Sequence, residues 1–167
     1  MTIFKDDESI IPRMSQLSQK TNQFNLTTKR YTEGDIKKFI EDDNSIIYAF
    51  SVSDKFGDSG VTGLCIINID DNNQTADIDT LLMSCRIIGR NVEYVFIDCI
   101  VDMIKERKVH VVRSKYIRTQ KNEQVKEFFD RCSFALDESS DSERNYTLDL
   151  SNFDPKHLSY IEVINEE

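Results

Sequence analysis

Residues that bind metals or form disulfides are scarce in this 167-residue sequence. Its four cysteines, Cys65, Cys85, Cys99 and Cys132, are widely spaced without a C-x-x-C pair, and only two histidines accompany them. This pattern argues against both a zinc site and a disulfide framework. We therefore expect no metal and four reduced thiols, with Cys65 and Cys99 acting as small core residues.

Long apolar runs are also absent. No stretch approaches the ~20 apolar residues that a membrane-spanning helix needs. Residues 1–8 lack the basic and then apolar profile of a signal peptide. We expect no membrane partner and a cytoplasmic location.

The chain lacks the net positive charge that nucleic-acid binding requires. Its formal net charge is −9, which argues against nucleic acid as a partner. Basic residues are nevertheless concentrated between residues 105 and 121. This stretch contains seven lysines and arginines and a single acid, Glu106. Such a patch suits a small anionic ligand or an acidic carrier protein. The alternative is a solvated strand edge that its charge protects from aggregation.

The patterns that are present predict an α+β fold. Apolar periodicity predicts helices at residues 9–20 and 122–131, and a capping box at Thr32 and Asp35 opens another short helix. Strands are predicted at 46–53, 61–69, 75–83, 109–117, 133–136 and 146–150. Short turns make the first three an antiparallel meander, and a helical crossover makes the third and fourth parallel. The sheet is therefore mixed and mostly antiparallel, with one parallel pair. We expect residues 1–150 to form one domain and residues 151–167 a loosely held, acidic C-terminal tail.

Residues 81–106 carry the crossover and the most informative chemistry. A buried strand end leads through a turn with Cys85, Arg86, Gly89 and Arg90 into an amphipathic helix. Unpaired N–H groups and the helix dipole make such a turn an anion site, and two arginines strengthen it. An ordinary connection with solvated arginines is the alternative interpretation.

The order of the predicted elements is similar to that of the GNAT acyltransferase fold. In that family the turn after the fourth strand carries R/Q-x-x-G-x-G/A, whose N–H groups hold the pyrophosphate of acyl-coenzyme A. The matching residues here are Arg86, Gly89 and Arg90, with Asn91 in place of the last small residue. The tyrosine that often protonates the leaving thiolate in GNAT enzymes is replaced by Phe129.

Four further motifs resemble the C-terminal GNAT-like domain of FkbH-type proteins, in the haloacid-dehalogenase (HAD) superfamily phosphatase subfamily IIIC. They are QKTNQFNLTTKRYT (19–32), DKFGDSG (54–60), IDTLLMSCRIIGRNVE (78–93) and YIRTQKNEQV (116–125). The resemblance implies transfer of a glyceryl group from 1,3-bisphosphoglycerate to an acyl carrier protein, towards hydroxymalonyl and methoxymalonyl polyketide extender units. It also implies a HAD-type phosphatase partner, because that half of the family architecture is missing from this chain.

The favoured mechanism is thioester exchange with Cys85 as the nucleophile. Arg86, Arg90 and the helix N-terminus would stabilise its thiolate and bind a phosphate. Asp79 on the neighbouring strand would act as a base or hydroxyl binder. The alternatives are a semi-buried structural thiol at Cys85 and a structural ion pair at Asp79.

Further residues complete this hypothetical site. Phosphate and pantetheine contacts are assigned to Arg86, Gly89, Arg90, Thr119, Lys121 and Asn122. Substrate contacts are assigned to Gln23, Asn25 and Thr28, and Glu93 is expected to orient Arg90. No tightly bound cofactor is expected; phosphopantetheine of an acyl carrier protein, or coenzyme A, is the co-substrate.

Three function classes stay open on sequence grounds. The first is acyl transfer to a carrier protein, and the second is a conventional acetyl-coenzyme A dependent N-acetyltransferase. The third is a non-catalytic docking module whose basic patch recruits an acidic carrier protein.

Overall fold

The computed structural model describes residues 1–166, which are built around a nine-stranded mixed sheet. The strands are β1 (Thr2–Lys5), β2 (Phe24–Asn25), β3 (Ser45–Asp54), β4 (Gly57–Asp70), β5 (Thr75–Met83), β6 (Val111–Ile117), β7 (Ala135–Ser139), β8 (Glu143–Asp149) and β9 (Ile164–Glu166). The helices are α1 (Ile11–Lys20), α2 (Glu33–Glu41), α3 (Val92–Lys105) and α4 (Phe128–Arg131). The sheet order is β7-β8-β6-β5-β4-β3-β1-β9, with β2 on β5. The predicted α+β class with a mostly antiparallel sheet is confirmed.

The two helix layers arise from the amphipathic patterns that the sequence contains. Helices α1 and α2 bury Met14, Leu17 and Ile36 against one face of the meander β3–β5. The predicted capping box at Thr32 and Asp35 opens α2, with each residue bonding the other's backbone N–H. Helix α3 covers the opposite face with a largely apolar side, and the larger part of the core lies there.

Close packing between β3 and β4 depends on one glycine. A Cβ atom on Gly63 would lie 1.8 Å from the ring of Phe50, which is fully buried. Only a residue without a side chain lets this ring lie across the neighbouring strand. Gly63 thereby allows β3 and β4 of the meander to pack closely beneath α3.

Strands β5 and β6 pair in parallel only at their beginnings and then diverge. Their register joins Thr75–Asp77 to Val111–Arg113 and extends no further. The short strand β2, which sequence analysis missed, fills the opening by pairing with Leu82 and Met83. Leu26, next along the chain, donates to the Leu81 carbonyl at 3.1 Å and accepts from the N–H of Ile117 at 2.8 Å. The chain thus closes the gap between its own diverging strands.

The region after β6 differs in detail from the prediction. The expected helix at 122–131 is a 3-10 turn, Glu123–Val125, followed by the short α4, although Val125, Phe128 and Phe129 are buried as predicted. The next strand begins at Ala135, two residues later than expected, because Ser133 has a left-handed backbone (φ 67°).

The expectation of a loosely held tail is wrong. Strand β9 pairs in parallel with β1, a second parallel pair that the sequence analysis did not include, and β1 itself was missed. The Asp98 carboxylate accepts the N–H groups of Lys156 and His157 at 2.8 and 3.3 Å. Apolar tail residues pack against the main core. Among residues 1–166, no helix has the length and apolar character to cross a membrane.

Candidate functional site

A cleft of about 850 Å³ opens where β5 and β6 end. One wall is α1, and the others are the turn after β5 and the turn after β6. Residues 21–23, which lead directly into β2, line the inner side. Because β2 fills the gap behind them, the cleft is a broad depression and not a channel between the strands.

Four basic side chains line this cleft: Arg13, Lys20, Arg86 and Lys121. Across residues 1–166, none of the four forms a salt bridge, whereas twelve other lysines and arginines pair with carboxylates. Burial, together with the charge of Arg86, lowers the pKa of Arg13 from its ordinary value. Among residues 1–166, no acidic side chain lines the cleft, so the cleft presents an uncompensated positive charge to an anion.

Arg13 and Lys20 are site residues that sequence reasoning missed. They stand seven positions apart on α1, which places both on one side of the helix after two turns. Arg13 also donates from Nε to the Val61 carbonyl at 2.9 Å, which holds α1 beside β4. The seven-residue spacing can be seen in the sequence. The sequence does not show, however, which other segments lie beside that face of α1.

The basic patch predicted at residues 105–121 is largely neutralised. Five of its seven cations pair with carboxylates, at Asp102, Asp71, Asp77, Glu143 and Glu123. Lys121 is the one cation of that stretch that lines the cleft, next to Gln120. The expected patch is therefore replaced by a cluster of four cations from three separate segments.

Cys85 is the exposed thiol of the protein and lines the cleft beside Arg86. Cys65 and Cys132 are buried, and burial raises their pKa values far above the ordinary range. Cys99 is half-buried, and burial raises its pKa to about 11. A reagent or substrate in the cleft therefore meets one accessible cysteine.

The turn between β5 and α3 is less open than the predicted anion cradle. It contains a 3-10 turn, Cys85–Ile87, and the N–H groups of Ile87, Ile88 and Arg90 bond to carbonyls within the turn. Gly89 has a φ of 86°, which favours glycine, and lies outside the cleft lining. Asn91 has a φ of 62° and donates to the hydroxyl of Tyr160 in the tail at 3.0 Å.

Arg90 and Glu93 do not form the predicted pair. The Arg90 guanidinium bonds Asp54 at the end of β3, at 2.9 Å. Glu93 is half-buried, its Oε2 has no hydrogen-bond partner, and burial raises its pKa. Glu93 therefore neither orients Arg90 nor lines the cleft.

Asp79 does not lie next to Cys85. Six residues of nearly extended chain separate the two, which corresponds to roughly 20 Å. A register shift between Ile66 and Ile67 of β4 leaves Asp79 as the extra residue of a β-bulge. Its carboxylate bonds the Lys29 ammonium and the Tyr31 hydroxyl. Burial, followed by that bond to Asp79, raises the pKa of Tyr31. Asp79 lines a separate cavity of about 380 Å³ with Thr27 and Lys29.

Two predicted ligand-binding asparagines hold the backbone instead. Asn122 is fully buried; it donates to the carbonyls of Asn25 and Ile117 at 2.9 Å and accepts the Thr119 N–H at 2.7 Å. Asn25, also fully buried, accepts the N–H of Thr28 at 2.8 Å. Together these amides fix β2 between β5 and β6, which does not fit a direct contact with substrate.

The remaining predicted contacts are divided between the cleft and its surroundings. Gln23 and Lys121 line the cleft, whereas Thr28 and Thr119 do not. Thr119 accepts the N–H of Lys121 at 3.3 Å and so positions the turn that carries this lysine. Thr28 has a strained left-handed backbone, with a φ of 58°.

The cleft fits the phosphate of a phosphopantetheine group, but the gap behind it does not fit an extended pantetheine arm. Arg13, Lys20, Arg86 and Lys121 are the residues that would hold the phosphate. The backbone of β5 that such an arm would bond is already paired with β2. Phe129, in the place of the family's tyrosine, is buried within an aromatic cluster.

Comparison with solved structures identifies the fold. No family model and no curated protein matches the sequence at a significant level. The ribosomal-protein-S18-alanine N-acetyltransferase from Escherichia coli superposes with a TM-score of 0.66 at 9% identity, over 93% of this chain and 97% of that chain. A spermidine N-acetyltransferase SpeG variant from Vibrio cholerae gives 0.67 at 12% identity, over 90% and 96% of the two chains.

A third structure was solved with coenzyme A. Rv2747 from Mycobacterium tuberculosis has a TM-score of 0.64 at 12% identity, over 86% of this chain and 95% of that chain. Identities this low carry the fold and no finer assignment, so the resemblance to FkbH-type proteins stays a hypothesis. The chain has the GNAT fold of these N-acetyltransferases.

Proposed function

We propose that this chain is an acyltransferase domain that passes a small acyl group, of the glyceryl type, through Cys85 to the phosphopantetheine thiol of an acyl carrier protein. The observation that carries the proposal is the exposed Cys85 thiol in a cleft lined by four cations without carboxylate partners. The sequence resemblance to FkbH-type proteins supports the acyl group and the carrier. A HAD-type phosphatase partner and a cytoplasmic location belong to the same proposal, and the four free cysteines fit a reducing compartment.

The chemistry requires two substitutions at one carbonyl carbon. The Cys85 thiolate attacks the acyl phosphate, the C–S bond forms, and the C–O bond to phosphate breaks with release of inorganic phosphate. The carrier thiolate then attacks the same carbon, and Cys85 leaves as a thiolate. Arg13, Lys20, Arg86 and Lys121 neutralise the phosphates of both partners, and a thiolate leaving group needs little acid catalysis.

Asp79 has a different role in this proposal. Its distance from Cys85 and its bonds to Lys29 and Tyr31 exclude it as the base of this step. The ion pair with Lys29 agrees with the structural alternative from sequence analysis.

A coenzyme A dependent N-acetyltransferase is the second candidate. It is favoured by the fold, which several N-acetyltransferases share. The same four cations would hold the phosphates of coenzyme A. The phenylalanine at position 129 favours the carrier-linked function over it, whereas the closed gap between β5 and β6 bears equally on the pantetheine arm of either co-substrate. A non-catalytic docking module is the third candidate, and it predicts carrier binding without any covalent adduct.

The test is intact-protein mass spectrometry after incubation with 1,3-bisphosphoglycerate generated in situ, followed by addition of a holo acyl carrier protein. We expect a 3-phosphoglyceryl adduct on the wild type that moves to the carrier, because attack at the acyl phosphate releases one phosphate and leaves the ester phosphate in place. The variant Cys85→Ser should form none, whereas the matched control Cys99→Ser should behave as wild type. An adduct that survives in Cys85→Ser would exclude Cys85 as the nucleophile. Turnover of acetyl-coenzyme A with an amine would favour the second candidate.

A further inference from the structure

The hairpin between β3 and β4 ends in the most exposed large apolar side chain among residues 1–166. Phe56 is 87% exposed, more than Tyr160, Ile164 or Leu136. It belongs to residues 54–60, a motif that the mechanism above does not use. An aromatic side chain in water carries an apolar surface that gains free energy when a partner covers it.

The hairpin extends past the end of β5 at which the cleft lies, although none of residues 54–62 lines the cleft. Gly63 of β4 pairs with Met83, where β5 ends, so the six residues before Gly63 extend beyond β5 on the same side as Cys85. Ser84 donates its N–H to the Thr62 carbonyl at 2.7 Å. The turn that carries Cys85 therefore lies directly against the base of the hairpin.

Two side chains attach the hairpin to the cleft. Arg13, a cleft cation, bonds the Val61 carbonyl at 2.9 Å. Asp54, at the end of β3, forms the ion pair with Arg90 of the catalytic turn at 2.9 Å. These contacts hold the hairpin tip at a fixed place relative to Cys85.

The tip itself is preorganised. The Asp54 carboxylate accepts the N–H of Phe56 at 2.7 Å, and that of Asp58 accepts the N–H of Gly60 at 2.8 Å. Gly57, which follows Phe56 and closes the turn against Asp54, adopts a φ of 135°, and Gly60, with a φ of 66°, lies at the register shift of β4. The Lys55 ammonium lies 4.9 Å from the centre of the Phe56 ring. These contacts order the backbone of the tip, so the main conformational cost that remains on binding is the rotamer freedom of the exposed Phe56 side chain.

We propose that Phe56 is an anchor for an acidic protein partner that has an apolar pocket, and that it docks this partner so that the partner's thiol reaches Cys85. This inference rests on the proposed carrier-linked function and names the surface that recognises the carrier. A convex tip cannot enclose a small molecule, whereas it can enter a pocket on a protein. The cleft cations supply the complementary charge, although the chain as a whole is acidic and the hairpin itself carries Asp54 and Asp58 beside Lys55.

The experiment measures binding of a holo acyl carrier protein by isothermal titration calorimetry, independently of catalysis. We expect Phe56→Ala to weaken the complex at least tenfold. The matched control, Ile164→Ala, removes another exposed apolar side chain on the edge strand β9 and should leave the affinity unchanged. Both side chains are exposed, so neither variant should impair folding, which circular dichroism would check.

A second measurement tests the role of Phe56 in docking separately from the proposed acyl transfer through Cys85. Acylation of Cys85 by the acyl phosphate, and its transfer to free pantetheine, should be equal in wild type and Phe56→Ala. Transfer to the carrier should require at least tenfold more carrier in the variant. Wild-type affinity in Phe56→Ala, equal losses in both variants, or no carrier binding by the wild type would each overturn the anchor. Failure of Cys85 acylation alone would overturn only the proposed function.

Discussion

At the scale of single residues, burial changes the chemistry of the acids on α3 more than any partner does. Glu93 stands in the first turn of the helix, half-buried, with Oε2 lacking a hydrogen bond. Asp98 is almost fully buried, and burial raises its pKa despite two backbone donors. Desolvation penalises the charged form of both carboxylates, so their pKa values lie above the ordinary ones.

Glu93→Gln should therefore stabilise the protein at neutral pH. A folded-state pKa above the ordinary value means that the stabilising contribution is present at pH below about 4.5 and is lost as the pH rises through the folded pKa. We expect the melting temperature of the variant to exceed that of wild type by about 1–3 °C at pH 7. The difference should vanish near pH 4. Glu106→Gln, at an exposed position at the other end of α3, is the control. A pH profile for Glu93→Gln identical to that of wild type would contradict the account.

At the scale of elements, the two-residue strand β2 decides what the site can hold. Its backbone occupies the edge of β5 that would otherwise be free, and the buried amide of Asn122 connects it to the end of β6. A short strand has little stability of its own, so this polar contact fixes its position.

Asn122→Ala should loosen β2 and destabilise the fold. The change leaves the carbonyls of Asn25 and Ile117 and the N–H of Thr119 without their partner. We expect a loss of about 2–4 kcal/mol in the free energy of unfolding, measured by urea denaturation. The exposed Gln124→Ala should stay within about 0.5 kcal/mol of wild type. A loss no larger in Asn122→Ala than in that control would show that β2 is held by other contacts.

The tail depends on one carboxylate of α3. Asp98→Ala removes the acceptor of two tail N–H groups, so amide exchange of β9 should accelerate at least tenfold in hydrogen–deuterium exchange mass spectrometry. Asp98→Asn keeps an oxygen acceptor and should exchange at nearly the wild-type rate. Unchanged exchange in the alanine variant would show that the strand pairing with β1 alone holds the tail.

At the scale of the whole molecule, the net charge does not show how the charged groups are distributed over the surface. The chain carries −9, yet its four unpaired cleft cations share one surface. Most other cations are neutralised locally, so the cleft is a positive region on an acidic protein.

Binding of phosphopantetheine should therefore weaken with salt, because screening shortens the reach of the cleft charges. We expect a several-fold loss of affinity between about 20 and about 200 mM NaCl, and a smaller salt dependence in Lys20→Ala/Lys121→Ala. The control Lys37→Ala/Lys38→Ala changes the net charge equally on exposed positions of α2 and should match the wild type. Equal salt dependence in both double variants would exclude the cleft as the binding site.

Local patterns in the sequence determined much of this fold. Alternating and helical periodicity predicted the meander, the inner faces of α1, α2 and α3, and the helical crossover before β6. The capping box of α2 was predictable because its two residues interact across three positions. The placement of the exposed Cys85 beside Arg86 could also be predicted, since both residues lie in one turn.

Tertiary structure decided which segments meet, because contacts between distant parts of the chain leave no local pattern. Strands β1, β2 and β9 are too short for periodicity to mark and exist only through their partners. Arg90 was predicted to pair within its own turn but meets Asp54, 36 positions away. The cleft joins Arg13 and Lys20 of α1 to Arg86 and Lys121, which lie on two other segments. The sequence thus determined the elements and the nucleophile candidate, whereas packing of the sheet determined the charge around it and closed the gap behind it.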